Sequence, residues 1–173
     1  DRVLRRVGGP GAGVHQGDAR ELFRRMACNI LLDNTDDHEK NHALLVVNPY
    51  GNGRLKLAPA YDRLPTHSGQ GHQEFICGAL GHESTLDNAM SECEAFGLLP
   101  NEAAQEVARV IEVVDGWRTH LAQVGVSAAD IEYLGQFIDG DELLAQRMGF
   151  EASRFANAGG KRAKPVKRGP FSV

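Results

Sequence analysis

The chain has 173 residues, a net charge of −4 and a hydrophobic fraction of 42%. This composition is ordinary for a globular protein, and the length suits one domain but is too short for two full ones. No segment approaches the run of about 20 apolar residues that a membrane helix needs, and the charged first residues do not resemble a signal peptide. The three cysteines are widely spaced and follow no zinc or disulfide pattern, which favours a reducing, cytoplasmic setting.

Both ends of the chain are predicted to lie outside the folded core. Residues 1–17 include a glycine-rich stretch and are predicted to form a connector, because the Gly-Lys-Ser/Thr of a phosphate-binding loop does not follow it. Residues 156–173 are predicted to form a disordered basic tail. The rest of the chain is acidic, so direct nucleic-acid binding is expected only through that tail.

Residues 19–32 are predicted to form an amphipathic helix, with Asp18 as its N-cap and Glu21 completing a capping box. The apolar positions that would form its buried face repeat every three to four residues: Leu22, Phe23, Met26, Ala27, Ile30 and Leu31. This helix delivers the most polar stretch of the chain, residues 34–42.

After that stretch, residues 43–47 and 54–58 read as the two strands of a hairpin, separated by a turn rich in Asn and Gly. Residues 59–66 follow directly. Residues 67–84 are predicted to be irregular, with histidines that face solvent and lack the close spacing of a structural zinc site. From Asp87 onward the chain is predicted to be helical, with apolar stripes that form core over 86–96, 104–121, 131–137 and 143–148, the last two separated by a break at Asp139-Gly140.

One interpretation of the polar stretch is a zinc peptidase, because residues 38–42 spell His-Glu-x-x-His. That pattern binds zinc when both histidines share one face of a continuous helix. Here a turn precedes His38, and strand-like residues follow His42 almost at once. The sequence therefore disfavours this interpretation.

A second interpretation joins Asp36 and Asn41 to Asp62. Phosphoryl transfer of the kinase kind uses an acid near the acceptor hydroxyl, an oxygen ligand for Mg²⁺ five residues later, and a second metal-binding acid after a short hairpin. The spacing from Asp36 to Asn41 fits, and Asp62 follows the predicted hairpin. The order of helix, loop, hairpin and acid is much more specific than the five-residue spacing alone.

With the motifs NTDDHEKNH (34–42) and LAPAYDRLPT (57–66), the chain resembles the HipA-like serine/threonine kinases, toxins of bacterial toxin–antitoxin pairs, to about residue 150. The resemblance implies an ATP- and Mg²⁺-dependent kinase that phosphorylates a protein Ser/Thr, with a cognate antitoxin as a further partner. It also implies a mainly α fold: the helical C-lobe of a protein-kinase-like fold with one small β-hairpin, here over residues 18–155.

Residue roles follow from the same resemblance. Asp36 would be the catalytic acid that orients the acceptor hydroxyl, and Lys40 would neutralise phosphate charge in the transition state. Asn41 and Asp62 would be the Mg²⁺ ligands of the ATP site, and His38 would hold the loop in shape. Asp37 occupies a variable position of the family pattern and is predicted to face solvent.

The chain departs from the family upstream of the loop. The nucleotide-covering loop and the phosphate-binding lysine of the N-terminal lobe cannot be found in the residues before Asn34. We therefore expect this chain to be the C-terminal lobe of a longer kinase, incomplete as an enzyme by itself. The alternative is a non-catalytic helical interaction module that keeps the motif without a nucleotide site.

Overall fold

The computed structural model describes residues 16–47, 49–50, 55–66 and 71–158. The predictions for residues 1–15, for the end of the basic tail and for His67 lie outside these residues. Within them the chain is mainly helical, as predicted, with one two-stranded sheet. The elements in chain order are α1 (Gln16–Leu31), β1 (Leu44–Val46), β2 (Leu55–Leu57), α2 (Leu86–Ser91), α3 (Pro100–Asp115), α4 (Trp117–Gln123), α5 (Ala128–Ile138) and α6 (Asp141–Gly149).

Helix α1 is the centre of the core. It packs against α2, α3, α6 and the 3-10 turn Cys93–Phe96. Phe23 and Ile30 are fully buried, and the ring of Phe23 meets that of Phe96 edge to face, with centroids 5.5 Å apart. Burial of each such side chain contributes about 1.5–3 kcal/mol. The predicted apolar face of α1 is confirmed, because its side chains are the ones buried in the core.

The predicted N-cap of α1 is wrong. The helix already includes Gln16, so Asp18 lies in its first turn rather than before it. An acid in the first turn still interacts favourably with the positive end of the helix dipole.

A buried carboxylate joins α1 to α3. Glu106 is 1% exposed, and it accepts hydrogen bonds from Arg20 at 3.0 Å and Arg24 at 2.6 Å, both on α1. Arg109, one turn along α3, donates to it at 2.7 Å. Burial alone would raise the pKa of Glu106, but the hydrogen bonds from Arg24 and Arg109 hold it below its ordinary value.

The hairpin has the predicted place and order. β1 and β2 are antiparallel, with Leu44 opposite Leu57 and Val46 opposite Leu55. Leu57 is buried, whereas Val46 is 53% exposed. Ala58, directly after β2, accepts a hydrogen bond from Arg25 at 2.6 Å, so the hairpin returns the chain to α1.

The helical part after residue 100 differs from the sequence prediction at two points. The stripe over 104–121 is divided at Gly116, where α3 ends and α4 begins. Met148, predicted as core, is 83% exposed. The C-terminal helices are joined by Asp139, which accepts hydrogen bonds from Trp117 at 3.1 Å and from Arg147 at 2.9 Å.

In the part of the chain that the structure describes, none of the helices has both the length and the apolar composition needed to cross a membrane.

Candidate functional site

The polar stretch begins where α1 ends in a Schellman motif. The N–H of Asn34 donates to the carbonyl oxygen of Asn29 at 2.9 Å, and the N–H of Asp33 donates to that of Ile30 at 3.3 Å. Asp33 takes the left-handed position of the motif, with a φ of 51°. Glycine is usual there, but Asp and Asn tolerate this region better than other side chains. The chain therefore turns sharply and leaves Asn34 buried.

Two side-chain contacts, each between residues five positions apart in the sequence, close loop 34–42. The side-chain Nδ2 of Asn41 donates to the carbonyl oxygen of Asp36 at 3.0 Å. Nε2 of His42 lies 2.9 Å from Oδ1 of Asp37. Between them residues Glu39–Asn41 form a single 3-10 turn, so the spacing from Asp36 to Asn41 corresponds to a closed loop.

The prediction that Asp37 faces solvent is wrong. Asp37 is 7% exposed, because His42 supplies a partner for its carboxylate inside the protein. The His42 ring in turn packs against Phe75, with centroids 5.7 Å apart. Burial and the nearby charge of Asp37 raise the pKa of the Cys77 thiol to about 12, so Cys77 is a neutral thiol near pH 7 and is unsuited to act as a nucleophile.

The two predicted catalytic groups, Asp36 and Lys40, lie at the surface. The Asp36 side chain is 72% exposed, and its Oδ1 lies 3.9 Å from Nε2 of His38. His38 is half-buried, and its Nδ1 is buried with no hydrogen-bond partner among the described residues. Lys40 is exposed. Asp36 and Lys40 are thus accessible to a substrate, and His38 packs behind Asp36.

The segment that carries Asp62 is hydrogen-bonded to loop 34–42 and to the turn before it. The hydroxyl of Tyr61 donates to the carbonyl oxygen of Lys40 at 2.5 Å. The hydroxyl of Thr66 lies 2.7 Å from that of Thr35 and donates to the carbonyl oxygen of Asp33 at 2.7 Å. The N–H of Thr66 donates to the same Asp33 oxygen at 3.0 Å. The structure therefore places residues 61–66 alongside the loop.

Asp62 lies between two anchored neighbours. Tyr61 is tied to the loop, and Arg63 donates from Nη1 to the carbonyl oxygen of Arg25 at 3.0 Å and to Oδ1 of Asn29 at 2.7 Å. Asp62 itself is exposed, with a left-handed φ of 54°. A φ in this region is uncommon for residues other than glycine and is often found at functional sites.

Asp36, Asn41 and Asp62 have the chemistry that Mg²⁺ requires, which is oxygen ligands with negative charge. Among the described residues, no Lys or Arg forms an ion pair with Asp36 or Asp62, so neither charge is neutralised. Because Nδ2 of Asn41 is engaged by the loop, its Oδ1 is the side-chain atom left for a cation. These three residues fit the implied metal, and their convergence on one ion stays a prediction.

The local structure around His38 and His42 does not meet the requirement of a zinc peptidase. The residues between them form a 3-10 turn of three residues rather than a continuous α-helix, and His42 is paired with Asp37. No group of three or more His, Cys, Asp or Glu side chains could hold a metal ion within residues 16–47, 49–50, 55–66 and 71–158.

A separate cavity of about 290 Å³ opens beside the end of α1. Its walls are Asp33, Gly71, Ser84 and residues of the junction between α5 and α6, among them Asp141 and Glu142. Asp36, Asn41 and Asp62 do not line it. The cavity is therefore distinct from the predicted phosphoryl-transfer site.

Sequence reasoning missed the residues that hold the two segments together, which are Asn29, Tyr61, Arg63 and Thr66. Three of them stand inside the quoted motif 57–66, where only Asp62 received a role. Asn29 had one available signal: it is a polar residue directly beside Ile30, within the predicted buried face of the helix, and it is 1% exposed.

The family model of the HipA-like C-terminal domain matches residues 2–117, which include both motifs, the hairpin and helices α1 to α3. Helices α5 and α6 lie outside the match. No curated protein and no solved structure matched the chain.

Proposed function

The chain belongs to the HipA-like C-terminal domain family, and from this premise we propose that it is the catalytic C-terminal lobe of a kinase that transfers phosphate from ATP to a protein Ser/Thr. The observation that carries the proposal is the attachment of residues 61–66 to loop 34–42. Two predicted active-site segments, 20 or more residues apart in the sequence, lie side by side, joined by hydrogen bonds between Tyr61 and Lys40 and between Thr66 and Thr35.

In the proposed reaction Asp36 orients the acceptor hydroxyl and accepts its proton. The hydroxyl oxygen forms a bond to the γ-phosphorus while the bond from that phosphorus to the β-phosphate oxygen breaks, and ADP leaves. Lys40 supplies a positive charge near the transferred group. Such reactions depend on positioning and charge stabilisation more than on covalent chemistry, which suits a site made of hydrogen-bonded loops.

Oxygen atoms of Asn41 and Asp62 would hold Mg²⁺, which when bound neutralises charge on the β- and γ-phosphates. His38, behind Asp36, would keep the loop in shape. The proposed partners are a protein with a Ser/Thr acceptor and, as in toxin–antitoxin pairs, a cognate antitoxin. ATP would bind between this lobe and the lobe that carries the nucleotide-covering loop.

An observation on the hairpin favours a second candidate, a non-catalytic interaction module. Leu45, Val46 and Val47 are each about half exposed, from 48% to 53%, although side chains of this type are commonly buried. A domain that used this strand to bind a partner would not need a cation at Asp62.

Cation binding separates the two candidates. We would titrate Mn²⁺, as a paramagnetic substitute for Mg²⁺, into the isotopically labelled chain and follow the broadening of backbone amide signals. The kinase proposal predicts that amides of residues 35–41 and 60–63 broaden first, and that Asp62→Asn abolishes this. Asp87→Asn, an exposed acid on α2, is the matched control and should leave the broadening unchanged.

Broadening centred elsewhere, for example on the acidic cavity beside Asp33, would contradict the kinase proposal. An unchanged pattern in the Asp62→Asn variant would contradict the metal role of Asp62 and favour the interaction module.

A further inference from the structure

One buried side-chain oxygen, Oδ1 of Asn29, is shared by the two segments that carry the predicted acids. It accepts a hydrogen bond from Nδ2 of Asn34 at 3.1 Å and one from Nη1 of Arg63 at 2.7 Å. Asn34 begins loop 34–42, and Arg63 directly follows Asp62. Because Asn29 is 1% exposed, the shared oxygen lies away from water, where hydrogen bonds are strong and an unpaired group is costly.

The last two turns of α1 hold the same segments at further points. The backbone oxygen of Asn29 accepts from the N–H of Asn34. One turn earlier, the backbone oxygen of Arg25 accepts from Arg63 at 3.0 Å, and Nη2 of Arg25 donates to the carbonyl oxygen of Ala58 at 2.6 Å. A regular helix is a rigid support, so contacts to one helix fix how far apart the two segments lie.

We infer that Asn29 is a positioning residue that sets the separation between the Asp36 loop and Asp62, and hence the geometry of the cation site. The inference rests on the proposed function, because a cation at Asp62 is what the positioning serves. Asn29 contacts neither acid; it acts through Asn34 and Arg63. Mutation of residues that orient metal ligands commonly weakens metal affinity by about 10- to 100-fold.

The amide oxygen of Asn29 is the atom that matters. Its Nδ2 is buried and has no hydrogen-bond partner among the described residues, so the amide donor contributes nothing to the junction. A carboxylate at this position would keep the acceptor for Asn34 and gain a charged bond to Arg63. Asn29→Asp should therefore preserve the arrangement, whereas Asn29→Leu removes the acceptor at similar size.

The test uses the whole chain and four variants. Asn29→Leu is the perturbing variant and Asn29→Asp the rescuing one. Arg63→Met removes one donor from a half-buried position and serves if Asn29→Leu does not fold. Asn88→Leu is the matched control, because Asn88 is also 1% exposed and hydrogen-bonded, with Oδ1 accepting from the N–H of Leu80 at 2.8 Å. It lies on helix α2 and contacts neither of the two segments.

The first readout is amide hydrogen exchange without metal. In Asn29→Leu, exchange at Asn34 and Thr66 should accelerate about five- to tenfold more than exchange at core amides of α3, as expected for the loss of buried hydrogen bonds. Arg63→Met should accelerate Thr66 in the same way. Asn29→Asp and Asn88→Leu should show no such local excess.

The second readout is the dissociation constant for Mn²⁺, from the same amide broadening. It should rise about tenfold in Asn29→Leu and stay close to wild type in Asn29→Asp and Asn88→Leu. Unchanged exchange in Asn29→Leu and Arg63→Met would overturn the inference whatever the metal result. Looser segments with unchanged Mn²⁺ affinity, in a protein whose Asp62→Asn variant loses Mn²⁺, would overturn it while the proposed function stands. Failure of the wild type to bind Mn²⁺ at Asp62 would overturn both.

Discussion

Replacement of Asp62 by Asn should separate metal binding from stability. Asp62 is exposed and forms no ion pair with another described residue, so removal of its charge leaves no buried group unpaired. Its φ of 54° suits Asn as well as Asp. The free energy of unfolding should therefore change by less than about 0.5 kcal/mol. In the complete kinase that the family resemblance implies, phosphoryl transfer should fall by about 10²–10³-fold.

Ile30→Ala gives the opposite pattern and serves as the matched comparison. Ile30 is fully buried in the core cluster, so its truncation removes transfer free energy and leaves a cavity, at a cost of about 2–5 kcal/mol. For a domain of this size a loss of about 3 kcal/mol lowers the melting temperature by about 6–12 °C. Loop 34–42 should still bind Mn²⁺ at temperatures well below that transition.

Thermal unfolding and Mn²⁺ titration, run side by side on both variants, check the prediction. An Asp62→Asn protein that is destabilised as much as Ile30→Ala would refute the reasoning and identify Asp62 as a structural acid. Wild-type Mn²⁺ affinity or wild-type phosphoryl transfer in Asp62→Asn would refute the metal role instead.

Three further predictions follow from the chain's other features. The 173-residue chain alone should show no autophosphorylation in a radiolabelled ATP assay, because the nucleotide-covering loop and lysine that the resemblance implies for a complete kinase are not found in its sequence. Robust activity would mean that the nucleotide site has been misplaced. In the folded protein the pKa of Glu106 lies below its unfolded value of about 4.3. The ionised carboxylate should therefore stabilise the fold above that pH, and this stability should be lost as the pH falls through the folded pKa. The denaturant midpoints of wild type and Glu106→Gln should accordingly converge in acid. Gly78→Ala would place Cβ 1.8 Å from the backbone oxygen of Asn88 and should cost about 3 kcal/mol or more in chemical unfolding, whereas Gly149→Ala, with open space around it, should be neutral or slightly stabilising.

The local elements were predictable because short-range patterns decide them. The 3.6-residue repeat of apolar side chains identified α1, and branched residues on both sides of an Asn- and Gly-rich turn identified the hairpin within about one residue of its observed strands. The break at Gly116 was missed because Val114 and Trp117 on either side of it continue the same apolar period. Met148 was placed in the core for a similar reason: its spacing continues the stripe of Leu143 and Leu144, although its own side chain is 83% exposed.

The candidate site shows the same division. The identity and spacing of Asp36, Asn41 and Asp62 could be read from the sequence, because a five-residue spacing followed by a hairpin is a local pattern. The burial of Asp37 could not, because it depends on His42 and Phe75, and Phe75 belongs to a later loop. A charged side chain is expected to face solvent unless a partner is known, and sequence spacing does not show which partners tertiary packing will supply.

The sequence by itself therefore determined the mainly helical fold, the hairpin, the family and the residue types of the proposed site, since each depends on neighbours within a few positions or on a short motif. Only the tertiary structure decided how the site is assembled. Asn29, Arg63 and Thr66 join segments more than 30 residues apart by hydrogen bonds, and such bonds form only after the core around α1 has brought those segments together. The entropy cost of bringing the segments together is offset by burial of apolar side chains along α1. A local sequence pattern does not show which distant segments that burial will join.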